Sequence, residues 1–479
     1  MTKRRAVLKK ELYSRRHFIK VAGATSLTAA TAAPLQTALA AHHESPKSGS
    51  EYDVIVIGGG FAGVTAARDL VKNGLKPLLI EARNRLGGRT YTSKFAGHKT
   101  DLGGTWVGWL QPHVWSEINR YGLEMEETPG AAPNRSMWMT DGRLKTDDTG
   151  AMWEILDEGF QKLCKVPNEC FPEPFAPLTS DEWKKYDHLS QADRLDEVKL
   201  PREQRDILAP LLSTNCHNYT KEGGMVDLLR WNALGSWDTT RLFDNLSRYT
   251  FKEGTKALID AMVADSNPDI LLSTPVWRVE QKTNRVVVTT DDDEIYTAKA
   301  LIVTVPMNVL DDVEFEPALS AEKVAAAKER HSGSGHKTFI HCANEIEPHF
   351  LAQAPNPHPL ALLFGYHGGP GETTMCSFGP PDSIDTTNDA HVQARVRDFF
   401  PAANVTAVVS YDWKLDPYSQ GTWCFYRPNQ FSKYFTALQS REGRMWFASA
   451  DSANGWRGFI DGAIERGART AHEVSDFLS

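Results

Sequence analysis

The sequence lacks most of the patterns on which common chemistries are built. It has no Gly-x-Ser-x-Gly turn, no His-Glu-x-x-His pair and no paired-carboxylate motif, so a hydrolase would have neither an activated nucleophile nor a metal-bound water. Its six cysteines, Cys164, Cys170, Cys216, Cys342, Cys376 and Cys424, contain no Cys-x-x-Cys and are too few for a disulfide scaffold in 479 residues. Cys164 and Cys170 are the one sequence-local pair that an oxidising compartment could bridge; buried free thiols are the alternative. The apolar stretch Val21 to Ala40 is broken by Gly23 and Pro34 and diluted by threonines, which makes it a poor membrane-spanning helix. His349, His358 and His367 lack a compact ligand pair nearby, so solvated loop histidines are expected and no metal site is predicted.

Charge is unevenly spread. Against a formal net charge of -8, residues 1–40 carry eight basic side chains and one acid, which leaves an acidic body with no footprint for nucleic acid or anionic membrane. Ser14-Arg15-Arg16-His17-Phe18-Ile19-Lys20 closely resembles the twin-arginine export signal, and Ala38-Leu39-Ala40 offers a small-residue cleavage site. Residues 1–40 are therefore expected to be a signal peptide read by the twin-arginine export machinery, 41–50 a disordered leader, and the mature protein periplasmic. That route carries folded proteins, which suits a chain that acquires a cofactor before export.

What the sequence does have is concentrated between Tyr52 and Arg89. Tyr52 to Ile57 is an apolar run, Gly58, Gly60 and Gly63 give the GxGxxG spacing, Ala62 to Asn73 reads as a helix, and Pro77 to Ile80 is a second apolar run ending at Glu81. Gly58 permits a tight turn, Gly60 lets backbone approach a pyrophosphate, Gly63 lets helix pack on strand, and the helix N-terminus faces the phosphates. Glu81, 18 residues past Gly63, can accept hydrogen bonds from ribose hydroxyls. Two further double-glycine turns, Gly87-Gly88 and Gly103-Gly104, bring backbone against an extended ligand again, more than a nicotinamide dinucleotide needs.

These segments carry a family resemblance. RLGGRTYTSKFAGHKTDLGGTWVG, from Arg85, is similar to the flavin-contacting segment of the FAD-dependent amine oxidases, and Trp109-Leu110-Gln111-Pro112-His113-Val114-Trp115 resembles their bacterial nicotine and pseudooxynicotine oxidoreductase branch. The resemblance implies an α/β (α+β), monoamine-oxidase-like fold, with a Rossmann-like FAD-binding domain (51–146, 247–310, 411–479) interleaved with a substrate domain of mixed sheet and helices (147–246, 311–410). Along the chain, Tyr91 to Lys99 reads as a hairpin, Phe251 to Val263 as a helix, and Ile270 to Val279, Val286 to Thr290 and Ala300 to Pro306 as strands.

By the same resemblance the cofactor is FAD, contacted by Gly58, Gly60, Phe61, Ala62, Gly63, Glu81, Ala82, Arg83, Gly87, Gly88, Arg89, Gly103, Gly104, Thr105, Trp106, Val276, Asp451, Trp456, Gly458, Phe459 and Ile460. Lys337 matches the lysine that holds a water against flavin N5, with His336 facing away across the strand; Trp423 and Phe459 match the paired aromatics before the flavin; Trp106 and Trp109 join them as substrate contacts. Trp106, Trp109, Trp115, Trp423 and Trp456, five of the 13 tryptophans, fall in flavin-associated motifs. Members with covalent FAD carry cysteine where this chain has Thr422, so noncovalent FAD is predicted, with a linkage displaced to Cys424 on the same strand face as the alternative. The closing turn reads Phe447-Ala448-Ser449-Ala450-Asp451, where the family has Phe-Ala-Gly and then Glu, so Asp451 keeps the charge with a shorter reach.

The implied activity is hydride transfer from the alpha carbon of a secondary or tertiary, nicotine-like amine to flavin N5, giving an imine or iminium that water hydrolyses. The electron acceptor is oxygen or a periplasmic cytochrome, and a homodimer is compatible with the sequence. The alternatives are a primary amine or polyamine oxidase, an amino acid oxidase if Arg457 proves a carboxylate clamp, and a noncatalytic or redox-relay flavoprotein.

Overall fold

The computed structural model describes residues 49–148 and 150–479; the expected export signal and nearly all of the expected leader lie outside them. Two sheets organise the described chain. The first runs, in spatial order, Glu314–Glu316, Val276–Gln281, Val286–Thr290, Ile295–Val303, Glu51–Ile57, Pro77–Ile80, Asp269–Leu271, with Met445–Phe447 also pairing to Ile295–Val303. Its centre is parallel, and the paired stretches 54–57, Pro77–Ile80, 300–303 and Met445–Phe447 are unbroken apolar runs because both faces are covered. Helices Phe61–Lys72, Lys256–Ala264 and Ile460–Leu478 cover one face with Val64, Leu70, Leu258 and Ile464, while Ile55, Leu78, Leu301 and Phe447 pack on the other.

The nucleotide turn sits at the carboxyl end of the central strand. A side chain at Gly63 would put its Cβ 1.9 Å from the Gly58 carbonyl oxygen, so helix and strand can approach this closely only with glycine there. Several boundaries differ from the sequence reading. The expected strand Ile270 to Val279 is two strands, Asp269–Leu271 and Val276–Gln281, because Ser273 takes a left-handed turn at φ 57°. The expected helix from Phe251 begins only at Lys256, since Tyr249–Phe251 pairs as a strand with Met125–Glu127.

The second sheet runs Val405–Ser410, His336–Cys342, Glu372–Gly379, Leu362–Gly369, Phe350–Gln353, Arg135–Thr140, Arg143–Asp147. The chain enters this sheet by Arg135, ahead of the 146/147 boundary expected from the sequence, where Arg135–Thr140 joins the edge of Phe350–Gln353 in parallel. Lys337, Phe378, Leu362 and Gln353 are register partners on four neighbouring strands, so their side chains share one face. A helical layer of Ala151–Leu163, Gln191–Val198, Arg202–Cys216, Met225–Leu234 and Thr239–Ser247 packs through Phe160, Leu208, Leu212 and Leu229. Among the described residues, no helix is long and apolar enough to cross a membrane.

Candidate active site

One cavity of about 2170 Å³ reaches from the nucleotide turn, past the second sheet, to the helical layer. All the residues expected to hold the cofactor line it except Gly63, Asp451 and Trp456. At its nucleotide end Gly58 (φ 107°) turns against Thr304, and a Cβ there would lie 2.6 Å from the Thr304 hydroxyl. Gly60 and Gly88 face each other across the turn, where a Cβ on Gly60 would meet no atom closer than 3.8 Å, the Gly88 Cα. The helix Phe61–Lys72 opens on Gly60 with no side-chain cap, which leaves its first N–H groups available to an anion. Glu81 is 3% exposed, with one carboxylate oxygen accepting from the Gly59 N–H at 2.6 Å and the other from the Arg83 N–H at 2.8 Å. A glycine cradle at an uncapped helix end with a fixed acid beside it fits the pyrophosphate and ribose of a dinucleotide.

Three of the expected residues lie off the cavity wall. Gly63 lies off the wall because its task is helix–strand packing. Asp451 is 1% exposed and spends its carboxylate inside the protein, on Arg89 Nη2 at 2.5 Å and on the Met307 N–H at 2.9 Å. Burial opposes its charged form, but the Arg89 guanidinium and the Met307 N–H still hold the carboxyl below the ordinary range. Asp451 therefore fixes Arg89, which lines the cavity and also donates to the Thr422 carbonyl at 2.9 Å. Trp456 is fully buried, donates to the Leu110 carbonyl and braces Phe459 edge-on at 5.3 Å.

Trp109, expected at the substrate, is nearly half exposed and lies off the cavity wall, donating to Asp244, which lines it; Trp115 packs on Tyr249. The segment 422–424 is irregular, so Thr422 and Cys424 share no strand face, and Cys424 is buried away from the cavity. All six cysteines are free. Two of the three expected loop histidines are not solvated: His358 bonds Asp398, and His367 lies in strand Leu362–Gly369 stacked on His98 at 4.6 Å. Among the described residues, no cluster of His, Cys, Asp or Glu is placed to hold a metal.

Lys337 projects from the second sheet into the cavity and is 5% exposed. Its Nζ donates to the Asp101 carbonyl at 2.8 Å, the Gly103 carbonyl at 3.0 Å and Thr105 Oγ1 at 2.5 Å, and stands 4.4 Å over the Trp106 ring. Burial pulls its ammonium down to about 8. These three bonds use every proton of an ammonium, so a water at Nζ has to displace one of them. His336, on the opposite face, bonds Thr338 and the Pro359 carbonyl.

Trp423 and Phe459 both line the cavity on separate supports. Trp423 lies flat on His217 at 4.0 Å with 10° between the rings, and its Nε1 donates to the Asn215 carbonyl at 2.9 Å. His217 Nε2 is 3.1 Å from the His336 carbonyl and Nδ1 is 2.8 Å from Thr422 Oγ1. A carbonyl only accepts, so Nε2 carries the proton and Nδ1 accepts from the Thr422 hydroxyl. Burial holds this imidazole down to about 3, neutral at pH 7. Phe459 packs edge-on to Trp231 at 5.1 Å and caps helix Ile460–Leu478, whose N-terminus also opens on the cavity.

His217, Trp231, Phe378, Asn215 and Gln353 line the chamber and escaped the sequence reading. His217 ends the helix Arg202–Cys216 in the left-handed conformation, which its residue type does not announce. Arg457 is 1% exposed, lies off the wall, pairs with Asp227 and stands 3.9 Å over the Tyr426 ring, so it clamps no substrate carboxylate.

A family profile described as flavin containing amine oxidoreductase matches residues 61–475. The chain is 42% identical over 438 residues to pseudooxynicotine dehydrogenase of a Pseudomonas species, covering 90% of this chain and 88% of that one. It is 36% identical over 475 residues to nicotine dehydrogenase of Pseudomonas putida (strain DSM 28022 / S16), covering 98% of each. Putrescine oxidase bound to putrescine shares the fold, with a TM-score of 0.76 at 19% identity over 89% of this chain and 99% of that one. With its glycine cradle, its aromatic-walled chamber and these relatives, the chain belongs to the flavin containing amine oxidoreductases and is an enzyme acting on amine donors with FAD as cofactor.

Proposed function

We propose that this enzyme oxidises a secondary or tertiary, nicotine-like amine at the carbon alpha to nitrogen, giving an imine or iminium that water hydrolyses. The observation that carries the reading is that Trp423 and Phe459 stand on the wall of the same cavity as the nucleotide cradle. FAD, when bound, supplies the acceptor for the hydride lost from that carbon. The protein's part is orientation and desolvation. The Trp423 ring, locked by His217 and Asn215, and the Phe459 ring, braced by Trp231 and Trp456, offer aromatic faces to the amine. A water-poor chamber disfavours the ammonium form and so frees the nitrogen lone pair that forms the new C=N bond. The two alkaloid-oxidising relatives support the substrate class.

The Trp423→Ala, Phe459→Ala double variant tests this: amine-dependent flavin reduction should fall by two orders of magnitude or more, in the range of about 10²-fold that lost substrate positioning costs. An undiminished rate removes the aromatic pair from the mechanism.

Noncovalent FAD is part of the same proposal, supported by Thr422, whose hydroxyl bonds His217, and by Cys424 lying off the wall. Flavin should be released by acid precipitation; flavin retained on the pellet contradicts it. Periplasmic export rests on the motif Ser14 to Lys20. The protein should appear in the periplasmic fraction and be lost from it in an Arg15→Lys, Arg16→Lys variant; cytoplasmic retention of the unaltered chain refutes the export proposal. Oxygen and a cytochrome remain the two candidate acceptors, distinguished by a peroxide assay beside cytochrome reduction.

A further inference from the structure

Between strand Val405–Ser410 and helix Gln430–Gln439 the chain runs without regular structure, and its first part, 411–420, crosses the nucleotide turn. Strands Pro77–Ile80 and Ile295–Val303 flank Glu51–Ile57 in parallel, so the stretches that follow them, 81–83 and Met307–Asp312, leave the sheet on either side of the glycine turn. The segment 411–420 is bonded to both. On one flank Asp416 Oδ1 accepts from Arg83 Nη2 at 2.5 Å, and Ser419 Oγ accepts from the same nitrogen at 2.8 Å. On the other, Asn308 Nδ2 donates to the Gln420 carbonyl at 3.0 Å, and Gln420 Nε2 donates to Asp312 at 2.7 Å. Trp413 Nε1 adds a bond to the Leu102 carbonyl at 2.9 Å, beside the turn at Gly103 and Gly104.

The way this crossing is attached lets it open. Its backbone–backbone hydrogen bonds close within it, Trp413 on Tyr411, Asp416 on Asp412, and Ser419 and Gln420 on Asp416, so side chains carry its attachment to the body. Segments held in that way open at lower free energy than strands and helices do. The crossing is also one chain thick: Trp413, Asp416, Tyr418 and Gln420 line the cavity, while Leu415 among them is 52% exposed. Asp416 is 2% exposed, and its second oxygen accepts from the Tyr411 hydroxyl at 2.6 Å, so its pair with Arg83 is the buried charged contact of the crossing.

We propose that 411–420 is a strap that opens to admit FAD and closes behind it, with the Arg83–Asp416 pair as its latch, so that this latch sets the rate at which the cofactor enters and leaves. The proposal rests on the noncovalent reading above and goes beyond it. Weakening the latch increases the share of time the strap stands open, which speeds release and uptake together. Loss of an ordinary cofactor contact speeds release alone.

The test dilutes the holoenzyme into flavin-free buffer and follows release by the fluorescence of free flavin; the stripped full chain is then mixed with FAD and uptake followed by loss of the same signal. Asp416→Asn keeps the shape of the latch and removes its charge, and both rates should rise about tenfold or more. Gln420→Asn, at a partly exposed position whose left-handed backbone (φ 48°) asparagine tolerates, shortens the reach to Asp312 and should raise both rates a few-fold. Unchanged rates in both variants overturn the strap, as does faster release without faster uptake. On the unaltered chain, amide exchange over 411–420 should be faster without FAD than with it, against unchanged exchange in Glu51–Ile57; equal exchange over 411–420 overturns the strap with no variant needed. Flavin that acid precipitation fails to release overturns the noncovalent reading and the latch together, whereas acid-released flavin with unaltered rates in the variants overturns the latch alone.

Discussion

At the scale of single residues, burial sets most of the chemistry. His217, His331 and His336 are enclosed so that their imidazoles are held down to about 3, about 3 and about 4 from an ordinary 6.5, burial being the main cause in each. An unfolded histidine takes its proton near pH 6.5, whereas these take theirs only near 3 to 4, so unfolding binds protons across that window. Stability should therefore be retained above pH 6.5 and fall progressively as pH drops towards 4. Thermal midpoints measured from pH 7.5 to 4 check this in steps of about half a unit, and a flat profile would contradict it. Asp451, by contrast, is buried in its charged form, as the partner of Arg89. Asp451→Asn keeps an acceptor for the Met307 N–H but leaves Arg89 without its counter-charge. A destabilisation on the order of 3 kcal/mol is expected, with reduced flavin retention, because Arg89 lines the cavity. Unchanged calorimetry and flavin content would show that the pair is dispensable.

At the scale of elements, the strand–turn–helix that opens the described chain separates two roles for glycine. Gly63→Ala drives a methyl group into the Gly58 carbonyl, 1.9 Å from the ideal Cβ, and should displace the helix from the strand. The helix-propensity gain of Ala over Gly, about 1 kcal/mol, is too small to offset a backbone clash of that kind. Gly60→Ala, with φ -77° and no atom nearer than 3.8 Å, should fold normally and instead place its methyl group where a pyrophosphate must approach. The flavin-free forms should thus differ in thermal midpoint, with Gly63→Ala well below Gly60→Ala, while both lose flavin. Equal midpoints would mean that the helix tolerates the added atom. This element was legible in the sequence because its determinants are local: apolar runs, glycine spacing and an acid at a fixed distance. The irregular segment 422–424 was not, because its conformation is set by long-range bonds such as Thr422 N–H to the Gly333 carbonyl and Arg89 to the Thr422 carbonyl.

At the scale of the whole molecule, the chamber is made by chain segments that meet only through the fold. Arg135–Thr140 pairs with Phe350–Gln353, more than 200 positions away in sequence, and so extends the sheet beyond the row Lys337, Phe378, Leu362, Gln353. No periodicity within either strand announces it, so Gln353 could not be recognised as a chamber residue. The same holds for His217, which matters because Trp423, brought from the far end of the chain, stacks on it. Of the residues singled out by motif resemblance, Lys337, Trp423 and Phe459 line the cavity, whereas Trp109, Trp456 and Asp451 stand just behind its wall. Their side chains bond Asp244, the Leu110 carbonyl and Arg89, so that Trp109 and Asp451 back residues of the wall.

Oxidation of amines in this cavity is directly measurable. The purified holoenzyme is mixed anaerobically with a small amine panel that includes nicotine, pseudooxynicotine, a polyamine and a primary alkylamine, and the visible band of oxidised flavin is followed. Rapid bleaching by a secondary or tertiary alkaloid amine is expected, with slow or no bleaching by the polyamine and the primary amine. Bleaching by none of them, with FAD demonstrably bound, would contradict it.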